Sequence, residues 1–353
     1  MAAASSSIAK TVTLIDLIPS GLPGPEHFKI DESPAPEEKD LAEGGVLVKV
    51  LCMSPDPYLR GGLKSGEVPR VMSGFVSGSI VASKNPSWIV GDFFGANLPF
   101  CTYQIVSAEH LSKTIMWKLT DHIDLEHISY GCGVLGMPGA TAYGGLIDVL
   151  RPLENKADGK QEVIWVSGAA GAVGGMVGQL AKQVYGCRVL GSCGGPKKGE
   201  LVKETFGFDH VIDYKTVSTA EELTSAVKEG APEGIDMYFD NVGGIHFEAA
   251  MSSLRPHGRV AVCGGITEYN STELVPVKFF PLKMVFSCQR VEGFVSIPWL
   301  KGEKGNFLKD MSKWLKEDKV KVQETKFDGI DQWPMAFQSL FTGANMGKVI
   351  VTV

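Results

Sequence analysis

Residues 163–183 read VIWVSGAAGAVGGMVGQLAKQ, an apolar run of strand character that passes through a glycine-rich turn straight into a helical pattern. A bound pyrophosphate needs this order. The turn must be tight, the backbone must come close to the phosphates, and a helix N-terminus must offer oriented N–H groups. Against the usual G-x-G-x-x-G the chain has Ala169 in the first place, so the match is A-x-G-x-x-G through Gly171 and Gly174. Gly171, Gly174 and Gly178 also recur at helical spacing and leave a smooth face on which the helix can approach a sheet. A ligand-free packing face would use the same residues, but the strand–loop–helix setting favours dinucleotide binding.

The end of the next strand bears on which dinucleotide. A chain selecting NAD places Asp or Glu about 20 residues on, for the ribose 2′-hydroxyl. Residues 188–196, RVLGSCGGP, carry no acid; the next one is Glu200, and Lys197 and Lys198 come before it. An acid would repel a 2′-phosphate and a cation would hold it, so the region favours NADP. Two solvated lysines at a helix start would look the same in sequence. The missing acid is the firmer observation.

Outward from this loop, strand-like and helical segments alternate: strands at 188–192, 211–213 and 236–240, helices near 197–205 and 220–228. Strand-like stretches at 259–263 and 285–289 extend the series. Such alternation argues for βαβ units and a parallel sheet. Before residue 137 the pattern is different. Runs at 46–50 and 76–81 are rich in β-branched residues, two-residue alternation is frequent and long helical patterns are scarce, so this part reads as β-rich. A helix over 306–316 and a strand over 348–353 close the chain.

The chain has 353 residues, which suits two domains. With 44% apolar and 21% charged residues it is of globular composition, which removes disordered and fibrous classes. A formal charge of −6 leaves no basic excess for a phosphate backbone, so no nucleic-acid partner is expected. Seven scattered cysteines without a C-x-x-C pair read as reduced and mostly buried, which points to the cytoplasm. The first ten residues, MAAASSSIAK, read as a frayed tail without the pattern of a signal peptide. Residues 128–147 carry no charge over 20 positions but include six glycines and Pro138, so they read as a buried domain junction rather than a membrane span.

Several further stretches carry a resemblance. They are MSPDPYLR at 53–60, GMPGATAY at 136–143, AAGAVGGMVGQ at 169–179, FDNVGG at 239–244, CGGITEYN at 263–270, EGF at 292–294 and GANMGK at 343–348. In this order, over roughly residues 45 to 353, the chain resembles the zinc-independent medium-chain dehydrogenase/reductases. Within them it is most similar to the leukotriene B4 12-hydroxydehydrogenase, prostaglandin reductase and alkenal double-bond reductase group. The resemblance implies a Rossmann NADP-binding domain, residues 137–315, inserted in a GroES-like, partly open β-barrel catalytic domain of residues 1–136 and 316–353. It implies that Ala172, Val173, Gly174 and Gly175 lie on the pyrophosphate, and that Lys198 and Tyr214 serve the 2′-phosphate. It places Asn241 beside the cofactor. Cys263, Gly264, Gly265, Ile266, Thr267 and Tyr269, with Phe294, Val295 and Ser296, line the nicotinamide and ribose, and Asn345 reaches the cofactor from the C-terminal segment. A homodimer is implied by resemblance alone. The segments 66–83 and 89–100 depart from the family pattern, and both border the substrate.

A zinc alcohol dehydrogenase needs a thiolate, an imidazole and a further ligand on an open site. Where a His-Glu motif would follow a glycine, the chain reads Met72-Ser73-Gly74-Phe75. His122 and His127 read as surface histidines, and no metal is expected. There is no G-x-S-x-G elbow either. Without a metal, reducing a C=C conjugated to a carbonyl is the easier chemistry: hydride goes to the β-carbon, and a hydrogen-bond donor stabilises the enolate oxygen. Tyrosine hydroxyls donate without carrying charge. Tyr269, in the loop after a sheet strand, and Tyr58, in the β-rich part, are the candidates. Packing is the plain alternative for each alone; the resemblance favours Tyr269 and leaves Tyr58 open. The expected function is NADPH-dependent reduction of enones and enals by small-molecule turnover. The alternatives are an NADPH quinone reductase and an NADP-binding protein whose catalysis has lapsed.

Overall fold

A computed structural model describes residues 7–153, 161–274 and 276–353. The β-rich part supplies strands β1 (Ile8–Leu14), β2 (Phe28–Pro34), β3 (Val46–Met53), β4 (Arg70–Val71), β5 (Ser73–Ser83), β6 (Phe93–Pro99), β7 (Tyr103–Val106) and β8 (Met116–Lys118). The alternating part supplies β9 (Val163–Ser167), β10 (Arg188–Cys193), β11 (His210–Asp213), β12 (Ile235–Asp240), β13 (Leu254–Val262) and β14 (Arg290–Gly293). The C-terminal stretch adds β15 (Glu324–Asp328) and β16 (Lys348–Thr352).

β9 to β14 form one sheet, paired in parallel in the order β11-β10-β9-β12-β13-β14. The order reverses between β9 and β12, which is the doubly wound arrangement, and ligands bind outside the carboxyl ends at that point. All five residues of β9 are buried, as expected of a central strand covered on both faces. Trp165 of β9 stands opposite Tyr238 of β12, and their rings lie 4.7 Å apart. The helix Ala172–Gln183 lies against the sheet through its glycines. A Cβ on Gly178 would come within 1.9 Å of the Phe208 ring, and one on Gly174 within 2.4 Å of the Gly168 carbonyl oxygen. The smooth face expected from the glycine spacing is therefore used for packing.

The second sheet runs β15-β16-β3-β5-β6-β8, with β7 paired to β3. Among the described residues β15 and β8 do not pair with each other, so this sheet stays open. β1 lies between β2 and β4 in a three-stranded sheet. The C-terminal strands return to the β-rich part: Val351 of β16 pairs with Met53 of β3. Trp333 and Phe337, stacked at 5.2 Å, fill the core beneath with Phe28 and Phe100.

Residues 128–147 form a short 3-10 turn, Ile128–Cys132, and the helix Met137–Gly144, and are largely buried. Among the described residues no helix is long and apolar enough to cross a membrane. Two expectations need correction. Residues 285–289 are not a strand; Pro281–Ser287 is a helix, and the sheet strand begins only at Arg290. Pro281 starts that helix, and Val285 and Phe286 are exposed on it, so the apolar run there is a surface feature and not a buried strand. The N-terminal tail is shorter than its composition suggests, because β1 already starts at Ile8, while residues 1–6 lie outside the described residues.

Candidate active site

The carboxyl ends of β9, β12 and β13 meet in one hydrogen-bonded floor. Asn241, directly after β12, donates its main-chain N–H to Ser167 Oγ at 2.9 Å and its side-chain amide to the Ser167 carbonyl at 2.7 Å. The next loop joins from β13. Thr267 Oγ1 donates to the Val242 carbonyl at 2.7 Å, and the Ile266 N–H donates to the Asn241 carbonyl at 3.4 Å. Asp240 organises the turn from below. Its Oδ1 accepts from the Val242 and Gly243 N–H groups at 3.0 and 2.9 Å and from the Tyr238 hydroxyl at 2.8 Å. Burial holds the Asp240 carboxyl above the usual carboxylate range, against the pull of these donors. Neither Ser167 nor Asp240 is among the residues that the sequence marks as candidates. The run Asp240-Asn241 was visible in the motif, but nothing local marks Ser167.

The glycine turn has the shape a pyrophosphate requires. Gly168 adopts a φ of +62°, which favours glycine, and turns the chain from β9 toward the helix. The helix Ala172–Gln183 follows Gly171, which has no side chain to cap it, so among the described residues no N-cap side chain takes its first N–H groups. The C-terminal segment closes over this turn: the Gly347 N–H donates to the Ala170 carbonyl at 2.8 Å. Asn345, two residues earlier, donates to the Gly347 carbonyl at 3.3 Å.

At the end of β10 the chain turns at Gly195, whose N–H donates to Asp213 Oδ1 at 2.9 Å. Tyr214 stands beside it, and a Cβ on Gly194 would come within 2.8 Å of the Tyr214 hydroxyl. Lys198 is half-buried, and burial with the nearby Lys215 lowers its pKa. Its Nζ lies 3.9 Å from the place a Cβ would take on Gly343, so the C-terminal segment borders it. A half-buried lysine and an uncapped helix start on neighbouring strand ends fit a phosphorylated dinucleotide.

Tyr269 is half-buried, and a Cβ on Gly264 would lie 3.0 Å from its hydroxyl, so the bare backbone at Gly264 makes room for the phenol oxygen. Burial first, and the neighbouring Cys263, push the phenol pKa up, which keeps it a neutral donor. Cys263 is a neutral thiol, pushed up to about 12 by burial and by Asp240. Tyr58 is 42% exposed in the turn Pro57–Leu63, and the surrounding protein and Asp56 also raise its phenol. Phe294, Val295 and Ser296 follow β14. The Phe294 ring packs edge-on against Phe239 and Trp299 at 5.9 and 6.1 Å, while Val295 is exposed and Ser296 buried. Among the described residues no cluster of His, Cys, Asp and Glu is placed to hold a metal ion. His122 is bonded to Ser312 and His127 to Asp124.

Two family models match the chain: "Zinc-binding dehydrogenase" over residues 172–297 and "N-terminal domain of oxidoreductase" over residues 10–114. Prostaglandin reductase 1 of Oryctolagus cuniculus is 38% identical over 87% of this chain and 84% of its own length. The NADPH-dependent curcumin reductase of Escherichia coli (strain K12) is 36% identical over 95% of this chain and 94% of its own. Among solved structures, CurA from Vibrio vulnificus in complex with NADPH superposes with a TM-score of 0.82 at 32% identity, covering 98% of this chain and 99% of its own. Both halves of the chain are thus matched at levels that show common descent as well as a common fold. The chain belongs to the zinc-independent medium-chain dehydrogenase/reductase family, in the group that includes prostaglandin reductase 1 and the curcumin reductases.

Proposed function

We propose that this chain reduces the α,β double bond of enones and enals with NADPH. The observation that carries the reading is the Tyr269 phenol, kept neutral at the carboxyl end of β13 in a loop hydrogen-bonded to the Asn241 turn. When bound, NADPH supplies the hydride that the β-carbon accepts. Ala172 to Gly175 would hold the pyrophosphate, and Lys198 with Tyr214 the 2′-phosphate. Asn241, Cys263 to Thr267, Phe294 to Ser296, and Asn345 would shape the nicotinamide and ribose site. The Tyr269 hydroxyl donates to the substrate carbonyl oxygen as negative charge builds there, with Tyr58 as the second candidate donor. A proton from solvent then completes the saturated carbonyl at the α-carbon.

The domain division proposed for this chemistry is residues 1–136 with 316–353 as the catalytic part and 137–315 as the cofactor part. The strand membership of the two sheets supports it. A second copy of the chain is the proposed partner. Phe280, Leu282, Val285 and Phe286 are exposed around the helix Pro281–Ser287, just before β14 at the edge of the six-stranded sheet, and such apolar side chains suit an isologous contact. A cytoplasmic location is supported by seven free thiols, four of them buried.

An NADPH-oxidation screen over enals, enones, oxo-eicosanoids and quinones tests the reading. Turnover of enones to saturated carbonyls is expected. Turnover confined to quinones would turn the reading to the quinone reductase, and tight NADPH binding without any turnover to a lapsed enzyme.

A further inference from the structure

We propose that Arg60 and Asn270 are positioning residues for the reduction, a latch that fixes the loop carrying Tyr269 against the turn carrying Tyr58. The inference rests on Tyr269 as the enolate donor.

Arg60 is fully buried, and among the described residues it makes no ion pair. Burying a guanidinium without a counter-ion is unfavourable unless its donors are all answered. Here each of its three nitrogens finds an oxygen, two of them from the segment around Ile18 and Gly21 and one from Asn270. Nη1 donates to the Ile18 carbonyl at 2.7 Å, Nη2 to the Gly21 carbonyl at 3.0 Å, and Nε to Asn270 Oδ1 at 3.0 Å. Asn270 is held from a second side, because its carbonyl accepts from the Gly21 N–H at 2.9 Å. One residue further on, Lys64 Nζ donates to the Ser271 carbonyl at 2.5 Å.

These bonds clamp residues 270 and 271 to the β-rich part, while Ile266 and Thr267 are bonded to the Asn241 turn of the parallel sheet. Tyr269 therefore sits between two anchors on opposite sides of the cleft. Tyr58 lies two residues before Arg60 in the same short turn, so one guanidinium ties both phenol-bearing segments together. A leucine or methionine would fill such a buried space without any desolvation cost, yet only a forked cation reaches three acceptors at fixed angles. Its use is geometric. A donor displaced by about 1 Å loses on the order of a hundredfold in rate, so holding a loop in register is a direct contribution to kcat.

The test compares Asn270→Ala, Asn270→Asp and Arg60→Lys in the unmodified enzyme and in a Tyr269→Phe background, with saturating NADPH and one enone substrate. Asn270→Ala is expected to lower kcat by about five- to fiftyfold, with KM and NADPH affinity changed less than about twofold. Asn270→Asp, which restores an acceptor for Arg60, is expected to recover most of that loss. In the Tyr269→Phe background Asn270→Ala should have no further effect, because the latch acts through the phenol. Unchanged kcat in Asn270→Ala, while Tyr269→Phe lowers it, overturns the latch and leaves the donor reading intact. An equal loss in both backgrounds also overturns it, because the effect is then structural and not routed through Tyr269. Full kcat in Tyr269→Phe overturns the donor reading itself, and the latch with it. If Arg60→Lys does not fold, the Asn270 pair decides alone, since those variants leave the guanidinium its two carbonyl partners.

Discussion

Lys348 Nζ lies 3.0 Å from Asp56 Oδ1, joining two side chains that are each 6% exposed and 292 positions apart. The pair is well satisfied. Lys348 also donates to the Pro55 carbonyl at 3.2 Å, and the second Asp56 oxygen accepts from Ser54 Oγ at 2.6 Å. Lys348 follows Gly347, whose N–H is bonded to the glycine turn at Ala170, and Asp56 stands two residues before Tyr58. A single buried ion pair thus connects the glycine turn at Ala170 to the segment that carries Tyr58.

Breaking that pair from one side leaves a charge buried alone. Lys348→Met should destabilise the fold by about 3–5 kcal/mol, read as a shift of the denaturant midpoint. Combining it with Asp56→Asn should recover part of the loss, because the uncompensated carboxylate is then gone. A loss below about 1 kcal/mol for Lys348→Met would mean the ion pair is replaceable by packing.

Tyr269→Phe keeps the ring and removes the hydroxyl. A hydrogen bond that strengthens as charge develops belongs to kcat, with KM moving little. One lost donor at a dry oxyanion site costs about 2.7–4 kcal/mol, and the half-buried position of Tyr269 reduces this to an expected tenfold to hundredfold drop in kcat. Steady-state rates on a good enone check it, with NADPH affinity held as the control. Undiminished turnover would shift the donor role to Tyr58.

Lys198→Ala should weaken NADPH about ten- to a hundredfold and leave NADH nearly unchanged, since only the former presents a 2′-phosphate. The pH dependence has a definite sign. Burial lowers the Lys198 pKa, so its charge is lost at a lower pH than for a free lysine. NADPH affinity should therefore fall as pH rises through that lowered pKa, while NADH affinity stays flat. Titration calorimetry with both cofactors measures this, and equal affinities in the unmodified protein would sink the cofactor assignment.

His246 is 4% exposed, its Nε2 has no hydrogen-bond partner among the described residues, and its ring stacks on Trp165 at 5.9 Å and meets Tyr214 edge-on at 5.7 Å. Burial lowers its pKa to about 4. The unfolded chain takes up a proton near pH 6.5 that the folded chain refuses, so stability is full above that value and is lost as pH falls toward about 4. The loss amounts to about 3 kcal/mol across this window. His246→Phe keeps an aromatic ring on Trp165 and should flatten the acid limb of stability against pH by one proton. An unchanged slope would place the titration elsewhere.

What could be read along the chain is what contiguous residues encode. The run from Val163 through the glycine turn into Ala172–Gln183 has a period, a turn and a helix start within 21 residues, so β9, the turn and its helix were legible from local pattern. The alternation after it marks the parallel sheet, and Lys198, Tyr214, Asn241 and Tyr269 lie in the segments that follow the carboxyl ends of β10, β11, β12 and β13. Residues 285–289 look strand-like in sequence although the helix Pro281–Ser287 covers their start, because a short apolar run has no period long enough to distinguish the two and its exposure is set by distant neighbours. Arg60, Asn270, Lys348, Asp56 and Ser167 lie within the quoted stretches, but nothing in those stretches says which partners they take. Their roles arise from partners tens to hundreds of positions away, up to 292 for Lys348 and Asp56. Local pattern carries most of the elements and strand ends; which buried charges meet is set only by the packed fold, because desolvation and hydrogen-bond geometry exist only once those separated segments are brought together.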